Sequence, residues 1–381
     1  MLFGVKVNKI KSIFFLLVII SLSGCGLKSV PAESADLDTM IGQMVMVGFR
    51  GMDAKPDSFI VWDITESKIG GVILFSKDCA LNSTERNVTD YSQVKLLTDS
   101  LQKHANIPLL VAADQEGGLI CRFAADRGFP TTSSAGELGN SGDLKASYRA
   151  GKTIGTTLRS VGVNVDFAPV VDVNRNAANP VISALQRSFS DDPVIVAEFA
   201  EAFIDGLHSE NIISCLKHFP GHGSSAADSH KGFTDVTDSW SRDEIIPFGT
   251  LINIKKADMI MTAHIFNSGL DSKYPATLSR NVITGILRDE LGFEGVIITD
   301  DMQMQAVSGE YGFKEGVHKA VEAGADILLF GNNLIYEPGL GSKAVTILKA
   351  LVSDGKVSEK RIKLSYDRIM LLKERLSLSE N

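Results

Sequence analysis

The feature that most constrains the fold is a series of eight short, almost continuously apolar runs that end in glycine or polar residues. Such runs are typical of parallel strands buried on both faces of a sheet. Amphipathic stretches of helical length lie between most of them, for example 91–105, 193–210 and 314–324, the last ending at Gly324. The eight runs are 44–49, 70–76, 108–114, 163–173, 212–219, 258–264, 295–301 and 326–332.

Eight strands that alternate with helices predict an α/β fold, a (β/α)₈ TIM barrel in a single domain. A doubly wound open sheet is the alternative. Such a sheet usually carries a glycine-rich phosphate loop after an early strand, and the sequence has none there. We assign the barrel domain to residues 37–381, with 342–355 and 359–376 as its closing helices.

Polar residues lie where these runs end. A TIM barrel places its active site at the carboxyl ends of its strands, so these residues are expected to converge on one rim. They are Asp114 in the third run, Lys217 and His218 in the fifth, His264 in the sixth, Asp300 and Asp301 in the seventh and Asn332 in the eighth.

Composition excludes several classes of protein. The chain has 381 residues, of which 44% are hydrophobic and 22% charged, as in a folded globular protein. A net charge of −8 without a long Lys/Arg run argues against a nucleic-acid partner. Cys79, Cys121 and Cys215 form neither an even disulfide set nor a zinc-spaced pair, and Cys215 is predicted to be a buried thiol.

The N-terminus has the pattern of a secretory signal, a basic segment followed by an apolar run too short to span a bilayer. It ends in "LSGC" at 22–25, which resembles a bacterial lipobox. The resemblance implies a signal peptide at 1–24, lipidation of Cys25 and a flexible tether through residue 36. The protein is then expected to be exported and lipid-anchored at the outer face of the bacterial cell membrane. Ordinary cleavage, with Cys25 incidental, is the alternative.

The segment 217–230, "KHFPGHGSSAADSH", holds three of the seven histidines of the chain. His218 and His222 are four residues apart, as in helical zinc motifs. Pro220 and Gly221 between them prevent a helix. We therefore predict neither a metal ion nor another cofactor, while a metal-dependent barrel hydrolase stays an alternative.

Acid–base chemistry suits this segment better. Asp228 and His230 are two residues apart in a loop of small residues. A carboxylate that accepts a hydrogen bond from one imidazole nitrogen orients the ring, and the other nitrogen can then exchange a proton with a substrate. The alternative is a solvated loop with a local Asp–His contact.

Asp300 and Asp301 end the seventh run as two adjacent carboxylates. A carboxylate opposite a proton donor is the arrangement that retaining glycoside hydrolysis requires. The alternative for either residue is the N-cap of the following helix, a role that we assign to Asp301.

These motifs, in this order, resemble bacterial β-N-acetylglucosaminidases of glycoside hydrolase family 3, the type that acts on peptidoglycan fragments. The resemblance spans the barrel. It rests on "GGVILFSKD" (70–78), "ADQEGGLICRF" (113–123), "VNVDFAPVVDVN" (163–174), "QRSFSDDP" (186–193), "KHFPGHGSSAADSH" (217–230), "TAHI" (262–265), "PATLS" (275–279) and "LGFEGVIITDDMQM" (291–304).

The resemblance implies a role for each matching residue. Asp300 matches the nucleophile, His230 the acid/base and Asp228 its partner. Charged groups suit the binding of sugar hydroxyls and of an N-acetyl group, because hydrogen bonds to them are strong. The residues that match sugar-binding positions are Asp114, Arg122, Arg187, Lys217 and His218.

The implied activity is that of a retaining exo-β-N-acetylglucosaminidase, expected to be a monomer acting on muropeptides or chitin-derived sugars. The β-glucosidase and β-xylosidase branch typically takes its acid/base from a second domain. No such domain is expected here, so the Asp-x-His pair should supply the proton. Ser224 and the segment 232–236 depart from the family pattern, as does the lipobox. A phosphorylase, a β-glucosidase or β-xylosidase type hydrolase and a catalytically silent sugar-binding lipoprotein remain alternatives.

Overall fold

A computed structural model describes residues 35–229 and 232–377, besides Met1 and Gly4. The described residues from Asp36 onward form one compact unit. The signal peptide, lipidated Cys25 and most of the tether that we predict lie outside the described residues, and so does His230. Among the described residues, no helix is long and apolar enough to cross a bilayer.

Eight parallel strands form the central sheet in the order β10-β1-β2-β3-β4-β5-β7-β9. A parallel bridge between Ile298 and Ile327 joins its two ends, so the sheet curls into a barrel. The predicted TIM barrel is confirmed. The strands are β1 Val45–Gly48, β2 Gly71–Ile73, β3 Leu110–Ala113, β4 Val165–Asp166, β5 Ile213–Phe219, β6 Thr234–Asp235, β7 Met259–Thr262, β8 Ile265–Phe266, β9 Val296–Thr299 and β10 Leu328–Phe330.

A second, two-stranded sheet pairs β6 with β8 outside the barrel. The sequence did not predict it, because two residues are too few to show an alternating pattern. This sheet joins the chain that follows the His-rich loop to the chain that follows β7.

Helices surround the barrel close to the expected positions. The helix α9 ends at Gly324, whose φ of +125° is disfavoured for residues with a side chain. The helices are α1 Leu37–Gln43, α2 Phe59–Thr65, α3 Tyr91–His104, α4 Ala135–Ser141, α5 Leu144–Ser160, α6 Pro193–His208, α7 Ile246–Asn253, α8 Gln305–Tyr311, α9 Phe313–Ala323, α10 Leu340–Ser353 and α11 Glu359–Ser377. A π-helix spans Asn281–Glu290, and 3₁₀ turns span Ala125–Arg127, Arg242–Ile245 and Ala276–Leu278.

The barrel strands are buried along their whole length, as their continuous apolar runs predict. Cys215 in β5 is fully buried, which confirms its prediction, and burial raises the pKa of its thiol. Most of the buried strand side chains are apolar. The polar residues predicted for the site lie at or just after the carboxyl ends of the strands, next to the loops.

Candidate active site

A cavity of about 400 Å³ opens where the barrel strands end. Six of the residues predicted for the site line it together, although they come from four separate segments of the chain. They are Asp114 after β3, Arg122 in the loop that follows, Arg187 in the loop after β4, Lys217 and His218 in β5, and Asp300 after β9.

A continuous chain of ion pairs crosses one side of the cavity. Asp114 lies between Arg122, at 2.8 Å, and the Nζ of Lys217, at 2.9 Å. Lys217 also contacts Glu116 at 2.7 Å. Glu116 in turn accepts two hydrogen bonds from Arg187, each 2.7 Å long. Paired, planar contacts of this kind hold a guanidinium in one orientation.

The charged side chains of this ion-pair chain keep one another ionised. Burial alone would raise the pKa of both carboxyls. The Lys217 and Arg122 charges outweigh burial at Asp114 and lower the pKa of that carboxyl. The Arg187 and Lys217 charges likewise lower the pKa of Glu116 to about 2. Burial acts to lower the pKa of Lys217, but the carboxylates beside it raise that pKa overall.

His218 is oriented by a buried carboxylate. Its Nδ1 lies 2.7 Å from Asp172 Oδ2, and its backbone N–H donates to Asp172 Oδ1 at 3.1 Å. The other ring nitrogen, Nε2, lies 3.4 Å from the guanidinium of Arg187. The contacts with His218 lower the pKa of Asp172 to about 2, against the effect of burial. A carboxylate on Nδ1 fixes the tautomer and leaves Nε2 toward the cavity.

The two carboxylates after β9 have different surroundings. Both line the cavity. Asp300 accepts a hydrogen bond from the backbone N–H of Asp301 at 2.7 Å. Asp301 accepts from the backbone N–H groups of Gln303 at 3.0 Å and Gly331 at 2.9 Å, which tie the end of β9 to the end of β10.

Our prediction that Asp301 caps a helix is wrong. The next helix, α8, begins at Gln305, and its N-cap residue Met304 makes no side-chain capping bond. Three residues separate Asp301 from that helix, and its carboxylate instead accepts hydrogen bonds from the turn after β9 and from the end of the neighbouring strand.

The His-rich segment forms a loop after β5. Asp228 in this loop is partly buried, and the structure gives it at least one interaction. His222 is buried with its Nε2 3.2 Å from the Ser229 hydroxyl, so it belongs to the internal hydrogen bonding of the loop. Burial lowers the pKa of His222 to about 4, which favours the neutral ring.

Three buried carboxylates near the site were missed by the sequence reasoning: Glu116, Asp172 and Glu244. A signal existed for the first two. Glu116 lies within "ADQEGG", a motif that contributed to the resemblance, and Asp172 lies near the end of the fourth apolar run. Applying the strand-end rule to every run would have identified Asp172. Glu244 lies in a segment without an apolar run, so that rule could not find it.

The described part of the chain contains no group of three His, Cys, Asp or Glu side chains suited to hold a metal ion. The residues around the cavity instead offer hydrogen-bond donors and acceptors of fixed charge next to a carboxylate. Such an arrangement can hold a neutral, hydroxyl-rich ligand and present a nucleophile or charge-stabilising group to it. The fold and the cavity together define a barrel protein with a site for a polar, hydroxyl-rich ligand at the carboxyl ends of its strands.

Comparisons with known proteins narrow this class. Residues 36–372 match the Glycosyl hydrolase family 3 N terminal domain. The chain belongs to glycoside hydrolase family 3, which confirms the predicted family.

Three similar proteins illustrate the relationship. Beta-hexosaminidase A of Pseudoalteromonas piscicida is 32% identical, with 89% of this chain and 61% of that protein aligned. An uncharacterized secreted glycosyl hydrolase of Arthroderma benhamiae is 33% identical, with coverage of 91% and 96%. The solved glycoside hydrolase family 3 beta-N-acetylglucosaminidase from Paenibacillus sp. superposes with a TM-score of 0.83 at 37% identity, covering 91% of this chain and 64% of that one. The chain therefore spans less than two thirds of the length of the first and third of these proteins.

Proposed function

We propose that the protein is a retaining exo-β-N-acetylglucosaminidase that removes terminal β-GlcNAc from glycosides. The observation that carries this proposal is that Asp300 shares one cavity with the ion-pair chain of Asp114, Lys217, Glu116 and Arg187. A nucleophile beside fixed charged hydrogen-bonding groups is what a glycosidase needs to hold a sugar and attack its anomeric carbon. The names of the relatives, a beta-hexosaminidase and a beta-N-acetylglucosaminidase, support GlcNAc as the sugar.

The proposed reaction has two steps. In the first, a carboxylate oxygen of Asp300 bonds to the anomeric carbon while the bond to the aglycone breaks, and His230 gives its proton to the leaving oxygen. In the second, His230 takes a proton from water. The oxygen of that water bonds to the anomeric carbon, and the bond to Asp300 breaks. Two inversions leave the anomeric configuration retained.

The proposed sugar-binding residues are Asp114, Arg122, Arg187, Lys217 and His218, which all line the cavity. Asp228 is proposed to orient His230, since it precedes that residue by two positions in the same loop. The sugar-binding roles follow from the motifs and are supported by the shared cavity, whereas the role of Asp228 rests on the motif. We also propose a monomeric state and the limits between signal peptide, tether and barrel domain after residues 24 and 36.

The activity test is hydrolysis of a chromogenic aryl β-GlcNAc glycoside, compared with the corresponding β-glucoside. We expect a strong preference for the GlcNAc substrate. We also expect the first product to retain the anomeric configuration, which NMR can detect. Parallel reactions with and without inorganic phosphate identify the acceptor. A sugar 1-phosphate product would show a phosphorylase instead, and cleavage of only the β-glucoside would contradict the proposed specificity.

The acid/base role of His230 has its own test. General acid catalysis typically contributes about 10²–10⁴ in rate, and a poor leaving group depends on it most. The variant His230→Ala should therefore lose activity mainly on a GlcNAc-containing disaccharide and much less on an activated aryl glycoside, with azide restoring turnover of the latter. Asp228→Ala should show the same pattern more weakly. Equal loss on both substrates without rescue by azide would exclude this role.

We further propose that the enzyme is exported and anchored by lipid at Cys25, and that it meets peptidoglycan fragments outside the cell membrane. The basic and apolar leader and "LSGC" at 22–25 support this location. The word "secreted" in the name of the Arthroderma relative is consistent with export. The test is turnover of muropeptides against chitin-derived oligosaccharides, where a clear preference for the latter would contradict a cell-wall substrate.

A further inference from the structure

The first half of the His-rich loop, residues 222–225, is hydrogen-bonded to a buried carboxylate outside the cavity. The backbone N–H groups of Gly223 and Ser224 donate to Glu244 Oε2 at 2.9 Å and 3.3 Å. Glu244 lies in the 3₁₀ turn Arg242–Ile245 and is completely buried. The second oxygen, Oε1, has no hydrogen-bond partner among the described residues. An apolar side chain would fill this space without leaving a buried oxygen unpaired. We therefore attribute the role of Glu244 to the two hydrogen bonds that it accepts from the loop.

The same half of the loop is fixed from a second direction, by the chain that follows β4. Asp172 accepts a hydrogen bond from the backbone N–H of His222 at 2.7 Å. Asn179 donates to the carbonyl of His222 at 2.8 Å, and Asn176 donates to the carbonyl of Ser225 at 3.0 Å. Gly223 lies so close to this chain that a Cβ atom there would come within 1.6 Å of the Val173 carbonyl oxygen.

Beyond this half, the loop becomes more exposed at two positions. Ala226 and Ala227 are exposed and Asp228 is partly buried. Ser229 is buried, with its hydroxyl 3.2 Å from His222 Nε2, and at β6 Val236 donates to the Phe266 carbonyl at 2.9 Å. Residues 222–225 therefore hold the start of the loop that leads to Asp228, and Glu244 accepts hydrogen bonds from two of the four backbone N–H groups in that stretch.

We propose that Glu244 is a positioning residue for the acid/base loop. Its carboxylate fixes the direction of the chain at Gly223 and Ser224, and that direction determines where the proton donor meets the leaving oxygen. The inference rests on the proposed function, in which this loop carries His230. Glu244 is not among the described residues that line the cavity, so it acts on the reaction only through the loop.

Two variants separate this role from structural support. Glu244→Gln keeps a side-chain oxygen that can accept both backbone hydrogen bonds, whereas Glu244→Ala removes it. Burial raises the pKa of Glu244 to about 7, so the site already tolerates a neutral side chain. Asp243→Asn is the matched control, because it changes the adjacent carboxylate, which is 59% exposed and pairs with Arg175 at the surface.

The measurement is kcat/KM of the full chain on the disaccharide and on the activated aryl glycoside. We expect Glu244→Ala to lose roughly 10- to 100-fold on the disaccharide and less than about threefold on the aryl glycoside, as for a misplaced general acid. Glu244→Gln and Asp243→Asn should stay within about threefold of the wild type on both substrates. Equal loss on the two substrates with Glu244→Ala would overturn the proposal. If Glu244→Ala does not fold, Glu244→Asp, which draws the carboxylate back by one methylene, should show the same selective loss.

A double variant gives the decisive comparison. If Glu244 acts through the loop, adding Glu244→Ala to His230→Ala should cause little further loss on the disaccharide, whereas independent effects would multiply. A selective loss in His230→Ala but not in Glu244→Ala would refute only the positioning role. The absence of selective loss in His230→Ala would refute the acid/base assignment, and the inference with it.

Discussion

The Nζ of Lys373 donates a hydrogen bond to the side-chain oxygen of Gln43 across 2.6 Å and joins the last helix of the barrel to the first. It also donates to the Gly70 carbonyl at 2.8 Å. Lys373 is buried, and both of these partners are neutral, so burial lowers the pKa of its amine to about 7. The contact fixes the closing helix at the cost of placing an ionisable group in the interior.

This contact predicts that stability rises with pH. The pKa of Lys373 is lower in the folded than in the unfolded chain, so between about pH 7 and pH 10 the unfolded chain binds more protons. The free energy of unfolding should therefore rise through that window, by at most about 1.4 kcal/mol per pH unit from this residue. Urea unfolding of the wild type and Lys373→Met at several pH values should show that rise only in the wild type. Lys363→Met is the control, since Lys363 lies on the same helix and pairs with Asp367 at the surface; an equal slope in wild type and Lys373→Met would contradict the prediction.

Much of the fold follows from sequence pattern because strand burial leaves a direct mark. Each predicted apolar run contains one barrel strand, and the helix that we ended at Gly324 ends there. The errors arise where local pattern is weak. The β6–β8 pair is too short to have a period, and Asp301 resembles a helix cap although α8 begins four residues later.

The site was predictable only in part, because its partners are distant in the sequence. Glu116 and Arg187 are 71 residues apart, and Asp172 and His218 are 46 residues apart. Neither pair has a spacing that sequence alone could interpret. The motifs therefore identify the groups that point into the cavity more readily than the buried carboxylates that hold them.

The ion-pair chain predicts a second pH effect, of the same sign but in the acid range. Glu116 has a lower pKa folded than unfolded, so its ionised form stabilises the protein above about pH 4.5, and that contribution is lost as the pH falls toward about 2. Glu116→Gln leaves Lys217 and Arg187 short of a buried partner and should lower the free energy of unfolding by about 3 kcal/mol at pH 7. The difference from the wild type should narrow as the pH falls below about 4.5. Glu85→Gln, at an exposed position, should change little, and a difference for Glu116→Gln that does not depend on pH would argue against the ionised pair.

Asp300 should form the covalent glycosyl-enzyme. Asp300→Asn should remove most turnover while the near- and far-UV circular dichroism stays unchanged, because its role is chemical. A mechanism-based inhibitor whose second step is slow should label Asp300 in the wild type, as peptide mass spectrometry would reveal. Asp301→Asn is the control: it weakens the turn held by Gln303 and Gly331 and should lower stability, yet still permit labelling of Asp300. A label on Asp301 would show that the nucleophile had been chosen wrongly.

Cys25 should carry the membrane anchor. Cys25→Ala should move the protein to the soluble fraction or leave it unprocessed, because an acyl chain contributes roughly 0.8 kcal/mol per buried methylene to membrane binding. Detergent phase partition and metabolic labelling with a fatty acid measure both effects. Cys79→Ala removes an exposed thiol of the barrel unit and should stay membrane-bound and labelled. Continued labelling of Cys25→Ala would disprove the anchor.

The β6–β8 sheet anchors the far end of the His-rich loop. The chain is fixed at residues 222–225 on one side and at β6 on the other, so the intervening part of the loop joins two anchored points. Doubling the length of such a loop adds only about 0.6 kcal/mol of closure entropy. Insertions there that retain Asp228 and His230 should therefore cost little stability, and they offer a way to vary which aglycones the proposed enzyme accepts while the ion-pair chain stays as it is.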